Sequence, residues 1–298
     1  MGTALANICA TVYKMITIAA PAKINLTLEV LGKRPDGFHE IRSVVQTINL
    51  CDRICFKSAK SIEITSTSPD WKADKSLVSG AASLLRESCG GSSGAAITVE
   101  KRIPLVAGLG GDSSDAAAAL LGLNRLWKCG LSQTQLSELA GRLGSDVTFF
   151  LNGGTALMRG RGEIVTPLKP LSKWWVVLAV PSTIHPPDKT KLLYESLNPD
   201  HFTDGQRSAS LAQRLNKREV FSPALLYNVF EHVAFSVYPG LFDFAESLLE
   251  QSAPHVHLAG SGPTLFCIFR DKVDADKLYH RLKDKKIETY LALTLTSD

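Results

Sequence analysis

No stretch of the 298 residues is apolar for long enough to make a membrane span. Residues 1–15 hold one late lysine and no apolar run, so no secretory signal is expected there. Met15 is the expected start of the fold, with residues 1–14 as a leader. An excess of one charge is also missing. The 33 Lys and Arg stand against 29 Asp and Glu, and the resulting +4 is spread along the chain. Nothing in that balance demands nucleic acid, although an anionic small substrate would be comfortable. Six cysteines lie dispersed, and Cys51 and Cys55 have no other thiol or histidine at metal-site spacing. Six in a chain this long is no disulfide scaffold, so a reducing cytoplasm is expected. Gly-x-x-x-x-Gly-Lys-Ser/Thr occurs nowhere, which argues against a P-loop NTPase. The dinucleotide fingerprint is incomplete too, because Ser113 stands where Gly108-x-Gly110 would need its third glycine.

What is present is a chain that is 45% apolar and 21% charged, as in soluble globular proteins, and long enough for two domains. Its organising stretch is Pro104-Leu105-Val106-Ala107-Gly108-Leu109-Gly110-Gly111-Asp112-Ser113-Ser114-Asp115, followed by four alanines. Three glycines in four residues let the backbone turn tightly and approach a ligand without a side chain between. Asp112, Ser113 or Ser114 is expected to cap a helix that runs to about Trp127. Two readings fit: a strand-to-helix turn with glycine for geometry, or a phosphate cradle at a helix N-terminus. The paired serines favour the cradle, since each hydroxyl can donate to a phosphoryl oxygen or ligate a metal.

Upstream, residues 15–20 alternate into Pro21, and residues 22–31 alternate again. Ile24, Leu26, Leu28 and Val30 face one side, while Lys23, Asn25, Thr27 and Glu29 face the other. The polar row is either a solvated sheet face or, after the interruption at Pro21, a set of side chains re-aimed into a site. A dense turn at Gly32–Gly37 leads to Phe38-His39, an aromatic–histidine pair at a loop exit. Lys101 precedes Pro104 by three residues, close enough to reach a nucleotide pocket. Asp146, between Gly144 and an apolar run, reads either as a helix cap or as a carboxylate at the core edge that accepts a proton or holds Mg²⁺. Composition changes at Pro167–Pro170, which divides the chain into 1–166 and 167–298. Leu225, Leu226, Val229, Phe230 and Val233 form a helical stripe in the second part. His255 and His257 share a face but have no third ligand, so metal binding is not expected there. Gly260-Ser261-Gly262 is a second glycine-rich turn, expected to pack on the first. Strands and helices follow no regular βα repeat, which suggests two layered α+β domains.

Four segments together resemble one family: residues 21–26, residues 34–40, residues 104–117, and residues 143–147 with Phe149-Phe150. The family is the galactokinase, homoserine kinase, mevalonate kinase and phosphomevalonate kinase (GHMP) superfamily. Arg34-Pro35-Asp36-Gly37-Phe38-His39-Glu40 resembles the branch that acts on 4-(cytidine 5'-diphospho)-2-C-methyl-D-erythritol. The resemblance implies a two-domain α+β fold. Its N-terminal domain is like the second domain of ribosomal protein S5, its C-terminal domain is a ferredoxin-like α/β sandwich, and the active site lies in the cleft between them. It also implies ATP-dependent phosphorylation of the substrate's 2-hydroxyl, in non-mevalonate isoprenoid precursor synthesis, with ATP and Mg²⁺ as cofactors. A sister kinase acting on mevalonate, phosphomevalonate or homoserine, or a catalytically inactive nucleotide binder, is the alternative.

By the same resemblance Lys23 and Asp146 are catalytic. Lys101, Pro104, Leu105, Val106, Ala107, Gly108, Leu109, Gly110, Gly111, Asp112, Ser113 and Ser114 contact the nucleotide. Asn25, Phe38 and His39 contact the substrate, and Ser114 with Asp146 holds the metal. The implied partner is a small molecule, with no nucleic acid or membrane, for a cytoplasmic monomer or weak homodimer. Three positions depart from the family pattern. Phe38 replaces a tyrosine. Asp112 replaces a common glycine and is expected to turn outward or toward the metal. His185-Pro186-Pro187 stands where the family tends toward Pro-Thr.

Overall fold

The structure, a computed structural model, describes residues 15–182, 186 and 188–296. The expected leader and residues His185 and Pro187 lie outside the described residues.

Two long strands, β1 (Ile16–Lys33) and β2 (His39–Ala59), pair antiparallel across the Arg34–Gly37 turn. Pro21 does not end β1. Between Pro21 and Ala22 the partner on β2 jumps from Cys51 to Ile48. A residue with no N–H is tolerated at such an irregularity, and the extra residues on β2 re-aim the side chains of β1 beyond it. The other edge of β2 is used twice, by β4 (Gly94–Glu100) along residues 53–59 and by β5 (Thr155–Gly160) along residues 41–46. β3 (Ile62–Ser66) and β6 (Ile164–Pro167) extend the two branches. The sheet is completed by β8 (Tyr227–Asn228), a strand of the second half that lies parallel to β1 at Thr27 and Leu28.

Helices α1 (Leu77–Ser88), α2 (Gly111–Trp127), α3 (Gln133–Leu143) and α4 (Ser145–Phe150) pack against this sheet around one core. The alanines 116–119 are all buried, and Gly122 has no room for a side chain, since a Cβ there would lie 2.3 Å from the Phe56 ring. Small residues thus let α2 lie close to β2 and carry its N-terminus to the glycine stretch.

The second sheet is antiparallel in the order β11 (Glu288–Leu293), β7 (Trp175–Val180), β10 (Leu265–Phe269), β9 (His257–Leu258). β7 is continuously apolar because both its faces are covered. Val176 and Leu178 pack with Ala22, Ile24 and Leu26 of β1, while Val177 and Ala179 join a third cluster. That cluster includes α7 (Glu231–Val237), α8 (Leu241–Glu250) and α9 (Lys272–Asp284). α5 (Lys189–Ser196) and α6 (Gln206–Asn216) lie between β7 and β8 in the chain. The core between the sheets draws on residues from both sides of position 166.

Three expectations change here. The polar row of β1 is buried rather than solvated: Thr27 bonds Ser208, and Glu29 accepts from Thr203 and from Ser208 N–H. The apolar stripe at residues 225–233 is not one helix. Its chain passes from a short 3-10 turn through β8 into α7, so the hydrophobics serve strand pairing and helix packing in turn. Cys89 and Cys129 form a disulfide, with Cα atoms 5.5 Å apart. They follow the ends of α1 and α2, which the packing brings together although 40 positions separate them. No described helix is long and apolar enough to cross a membrane.

Candidate active site

The first glycine stretch folds as a loop that opens directly into α2. Gly108 and Gly110 sit at φ +81° and +72°, where L-residues are strained. The N-cap of α2 is Gly110, with no side-chain cap, so neither Asp112, Ser113 nor Ser114 caps it. The helix starts earlier than the polar residues suggest. Its first bond of this kind runs from Ser114 N–H to Gly110 O, and the N–H groups of Gly111, Asp112 and Ser113 precede it. They give a positive helix end bare of side-chain acceptors.

Asp112 supplies no acceptor there because its carboxylate is used elsewhere. It accepts from Ser76 Oγ (2.7 Å) and Leu77 N–H (3.1 Å), at the start of α1. Lys101, expected beside the nucleotide, is likewise committed. Its ammonium bonds Asp52 and Asp115, all three side chains being 5% exposed or less. Burial pulls Lys101 down, but Asp115 and Asp52 outweigh it and hold it above the usual lysine value. Asp115 is pushed up to about 7, first by burial and further by Asp52, against the pull of Lys101. Lys101 also lies on the wall of the cavity above the loop and supports the loop, since a Cβ on Gly111 would lie 3.4 Å from its Nζ.

Lys23 comes just after the β1 irregularity, and its N–H donates to Leu109 O at 2.9 Å, which ties the strand to the loop. Its ammonium donates to Asn25 Oδ1 (2.8 Å). The Asn25 amide donates to Ser43 Oγ (2.8 Å), and the Ser43 hydroxyl to Thr27 O (2.6 Å). This chain sets the direction of the Lys23 side chain. Asp146 stands in the first turn of α4, behind the N-cap Gly144. It is therefore not a cap, and its carboxylate lies 3.7 Å from the Lys23 ammonium, 37% exposed against 8% for the lysine.

The second glycine loop closes over the first. A Cβ on Gly108 would come within 2.2 Å of Ala259 O, and one on Gly260 within 2.8 Å of both Gly108 O and Lys23 Nζ. Two cavities meet at this joint. One, of about 690 Å³, is lined by residues 104–113 together with Trp71 and Lys189. The other, of about 980 Å³, is lined by Asn25, Phe38, His39, Tyr194, Phe202 and Phe230 among others. Lys23, Asp146, Thr190 and Ser261 belong to both walls.

In the larger cavity His39 stacks on Tyr194 at 4.8 Å, and the Arg161 guanidinium covers one face of Phe38 at 4.6 Å. Burial and then the Lys33 charge lower the His39 pKa, so near neutral pH the imidazole keeps one donor and one acceptor nitrogen. Tyr194, Thr190 and Trp71 are not legible as site residues in the sequence. Each sits in a segment whose local pattern is only that of a helix or a polar loop. The metal-ligand pair is divided: Asp146 lies on the cavity wall, whereas Ser114 is buried with its Oγ lacking a partner. Among the described residues no cluster of three His, Cys, Asp or Glu is arranged to cage a metal. A carboxylate on the wall and an unsatisfied hydroxyl buried just behind the loop are the kind of oxygen donors Mg²⁺ takes, since it is held through few protein ligands with the rest of its shell supplied by ligand oxygens and water.

Residues 76–154 match the family model described as GHMP kinases N terminal domain, and residues 209–288 the one described as GHMP kinases C terminal. A 4-diphosphocytidyl-2-C-methyl-D-erythritol kinase of Dehalococcoides mccartyi is 51% identical over 281 residues, 94% of this chain and 99% of its own length. One from Geobacillus thermodenitrificans is 39% identical, over 90% of this chain and 93% of its own. A crystal structure of 4-(cytidine 5'-diphospho)-2C-methyl-D-erythritol kinase superposes with a TM-score of 0.79 at 32% identity, covering 94% of this chain and 99% of that one. The fold is shared more widely. Homoserine kinase from Cytophaga hutchinsonii reaches a TM-score of 0.72 at 18% identity, over 96% of each chain.

Proposed function

The chain belongs to the GHMP kinases, in the branch of the 4-diphosphocytidyl-2-C-methyl-D-erythritol kinases, and from that premise we propose how its cleft carries out the transfer. The enzyme is an ATP-dependent kinase that phosphorylates the 2-hydroxyl of 4-(cytidine 5'-diphospho)-2-C-methyl-D-erythritol, in isoprenoid precursor synthesis. ATP lies in the smaller cavity with its phosphates over Gly108–Ser113, on the unpaired N–H groups of α2. The cytidyl alcohol lies in the larger cavity with its base among Phe38, His39 and Tyr194 and its reacting hydroxyl beside Asn25. The one observation that carries this reading is that Lys23 and Asp146 face each other where the two cavities join.

Asp146 accepts a hydrogen bond from the substrate hydroxyl and takes its proton as the oxygen attacks the γ-phosphorus. Lys23, 3.7 Å from that carboxylate, holds it in place and stabilises charge on the attacking oxygen, while the loop N–H groups stabilise charge on the phosphoryl oxygens. Asp146 and the Ser114 hydroxyl would hold Mg²⁺, which neutralises phosphate charge when bound. We take the enzyme to act as a monomer or a weak homodimer. We place the reaction in the cytoplasm, where ATP is made, and assign the enzyme no nucleic-acid or membrane partner. We propose residues 1–166 and 167–298 as the two halves, a boundary that falls inside β6, with the cleft between them.

Steady-state assays on the cytidyl alcohol, mevalonate, phosphomevalonate and homoserine test this. Turnover of the cytidyl compound alone is expected, and efficient use of mevalonate in its place would overturn the substrate assignment. Asp146→Ala should lower kcat by about 10²–10⁴-fold with the KM for ATP little changed. Unchanged transfer by that variant would remove Asp146 from the mechanism.

A further inference from the structure

Three successive carbonyls of the second glycine loop are each held by a side chain of the second half. Gly260 O accepts from Asn228 Nδ2 (2.8 Å), Ser261 O from Tyr238 Oη (2.6 Å) and Gly262 O from Lys189 Nζ. Asn228 and Tyr238 are neutral donors that do this without burying a charge. Lys189 does the same with an amine that is 8% exposed. Among the described residues no carboxylate lies within ion-pair reach of it, and the nearby charge acting on it, Lys23, has the same sign.

A buried ammonium with a single carbonyl partner and a cation for a neighbour is costly unless an anion joins it. The position supplies a place for one. Gly262 O would lie 2.8 Å from a Cβ on Gly108, so the amine bonded to it stands at the joint of the two loops. Lys189 lines the smaller cavity and not the larger. The other ionisable groups on that wall are accounted for. Asp146 faces Lys23, Asp112 is bonded to α1, and Lys101 is held by Asp52 and Asp115. Asp70, Lys72 and Lys75 lie on the stretch ahead of α1. Tyr194 and Tyr238 are raised by burial and stay neutral.

Resting on the reading of that cavity as the ATP site, we propose that Lys189 is a phosphate-binding lysine contributed by the second half of the chain. It rests on the Gly262 carbonyl and transfers to a terminal phosphate of the nucleotide, taking up a solvent proton as the polyphosphate arrives. Burial and then Lys23 bring the free lysine down to about 7, so at about pH 8 most of it is neutral before binding. An adjacent phosphate raises that value again, and the difference appears as proton uptake. Below about pH 6 the lysine is already charged, and uptake disappears.

Calorimetric titration of the full chain with Mg²⁺ and a nonhydrolysable ATP analogue, near pH 8 in two buffers of different ionisation enthalpy, measures the uptake directly. Wild type should take up a substantial fraction of one proton. Lys189→Met should lose that uptake and bind about 10- to 100-fold more weakly. Lys189→Arg, permanently charged, should recover part of the affinity without the uptake, which a purely structural peg would not do. Circular dichroism identifies any variant that fails to fold, and the wild-type proton count decides the matter in that event. Nucleotide binding to wild type without proton uptake overturns the role of Lys189 and leaves the kinase reading intact. Absence of nucleotide binding to wild type overturns both.

Discussion

Asp115 shows how a residue beneath the site shapes it without touching a ligand. It shares the Lys101 ammonium with Asp52, and its second oxygen, Oδ1, is buried without a partner. Burial first, and then the second carboxylate of Asp52 on the same cation, raise the Asp115 value to about 7 against the pull of Lys101. Its folded pKa lies above the unfolded one. The stabilisation it gives is therefore complete below the ordinary carboxylate range and fades as pH climbs through 7. Asp115→Asn should flatten that fall, read as the urea midpoint at about pH 5 and pH 8 for both proteins. An unchanged pH slope in the variant would assign the proton elsewhere. The residue types at 52, 101 and 115 are plain in the sequence. Their meeting is not, because it depends on β2, the strand exit after β4 and α2 converging.

The glycine loop and the helix after it are legible as an element, since glycine spacing and an alanine run act over a few residues. Its capping is not. The polar residues that resemble caps lie one or more positions inside α2, and Asp112 caps a different helix across the site. By bonding Ser76 and Leu77, Asp112 ties the first turns of α1 and α2 together and keeps its negative charge away from the N–H groups at the start of α2. Asp112→Ala should cost about 0.5–2 kcal/mol, measured by urea denaturation. The KM for ATP should rise more than kcat falls, because the loop loses its tether while Lys23 and Asp146 remain in place. A variant with wild-type stability would show that the bonds at α1 contribute nothing net.

For the whole molecule, what matters is that two glycine loops about 150 positions apart in the chain become one structure. Gly108 is tight at the joint, with positive φ and Ala259 O where a Cβ would lie. Gly108→Ala should therefore wedge the loops apart. We expect a Tm lower by about 2–4 °C or more, and loss of phosphoryl transfer beyond what that stability change explains. Calorimetry alongside single-turnover assays checks both, and a variant with unaltered transfer would show that loop contact is not needed for the chemistry.

Local chemistry settles much before any folding is considered. Glycine spacing, strand alternation and the Arg34–Glu40 segment act over a handful of residues, so the glycine loop, the paired strands and the substrate branch can be read directly. Other features arise only from packing. The burial of Thr27 and Glu29 beneath residues 203–208, the approach of Tyr194 to His39, the Cys89–Cys129 bridge and the ammonium of Lys189 at the loop joint all need segments distant in the chain to meet. No local pattern encodes those meetings, because the free energy behind them comes from surfaces that exist only after the two sheets have closed on their common core.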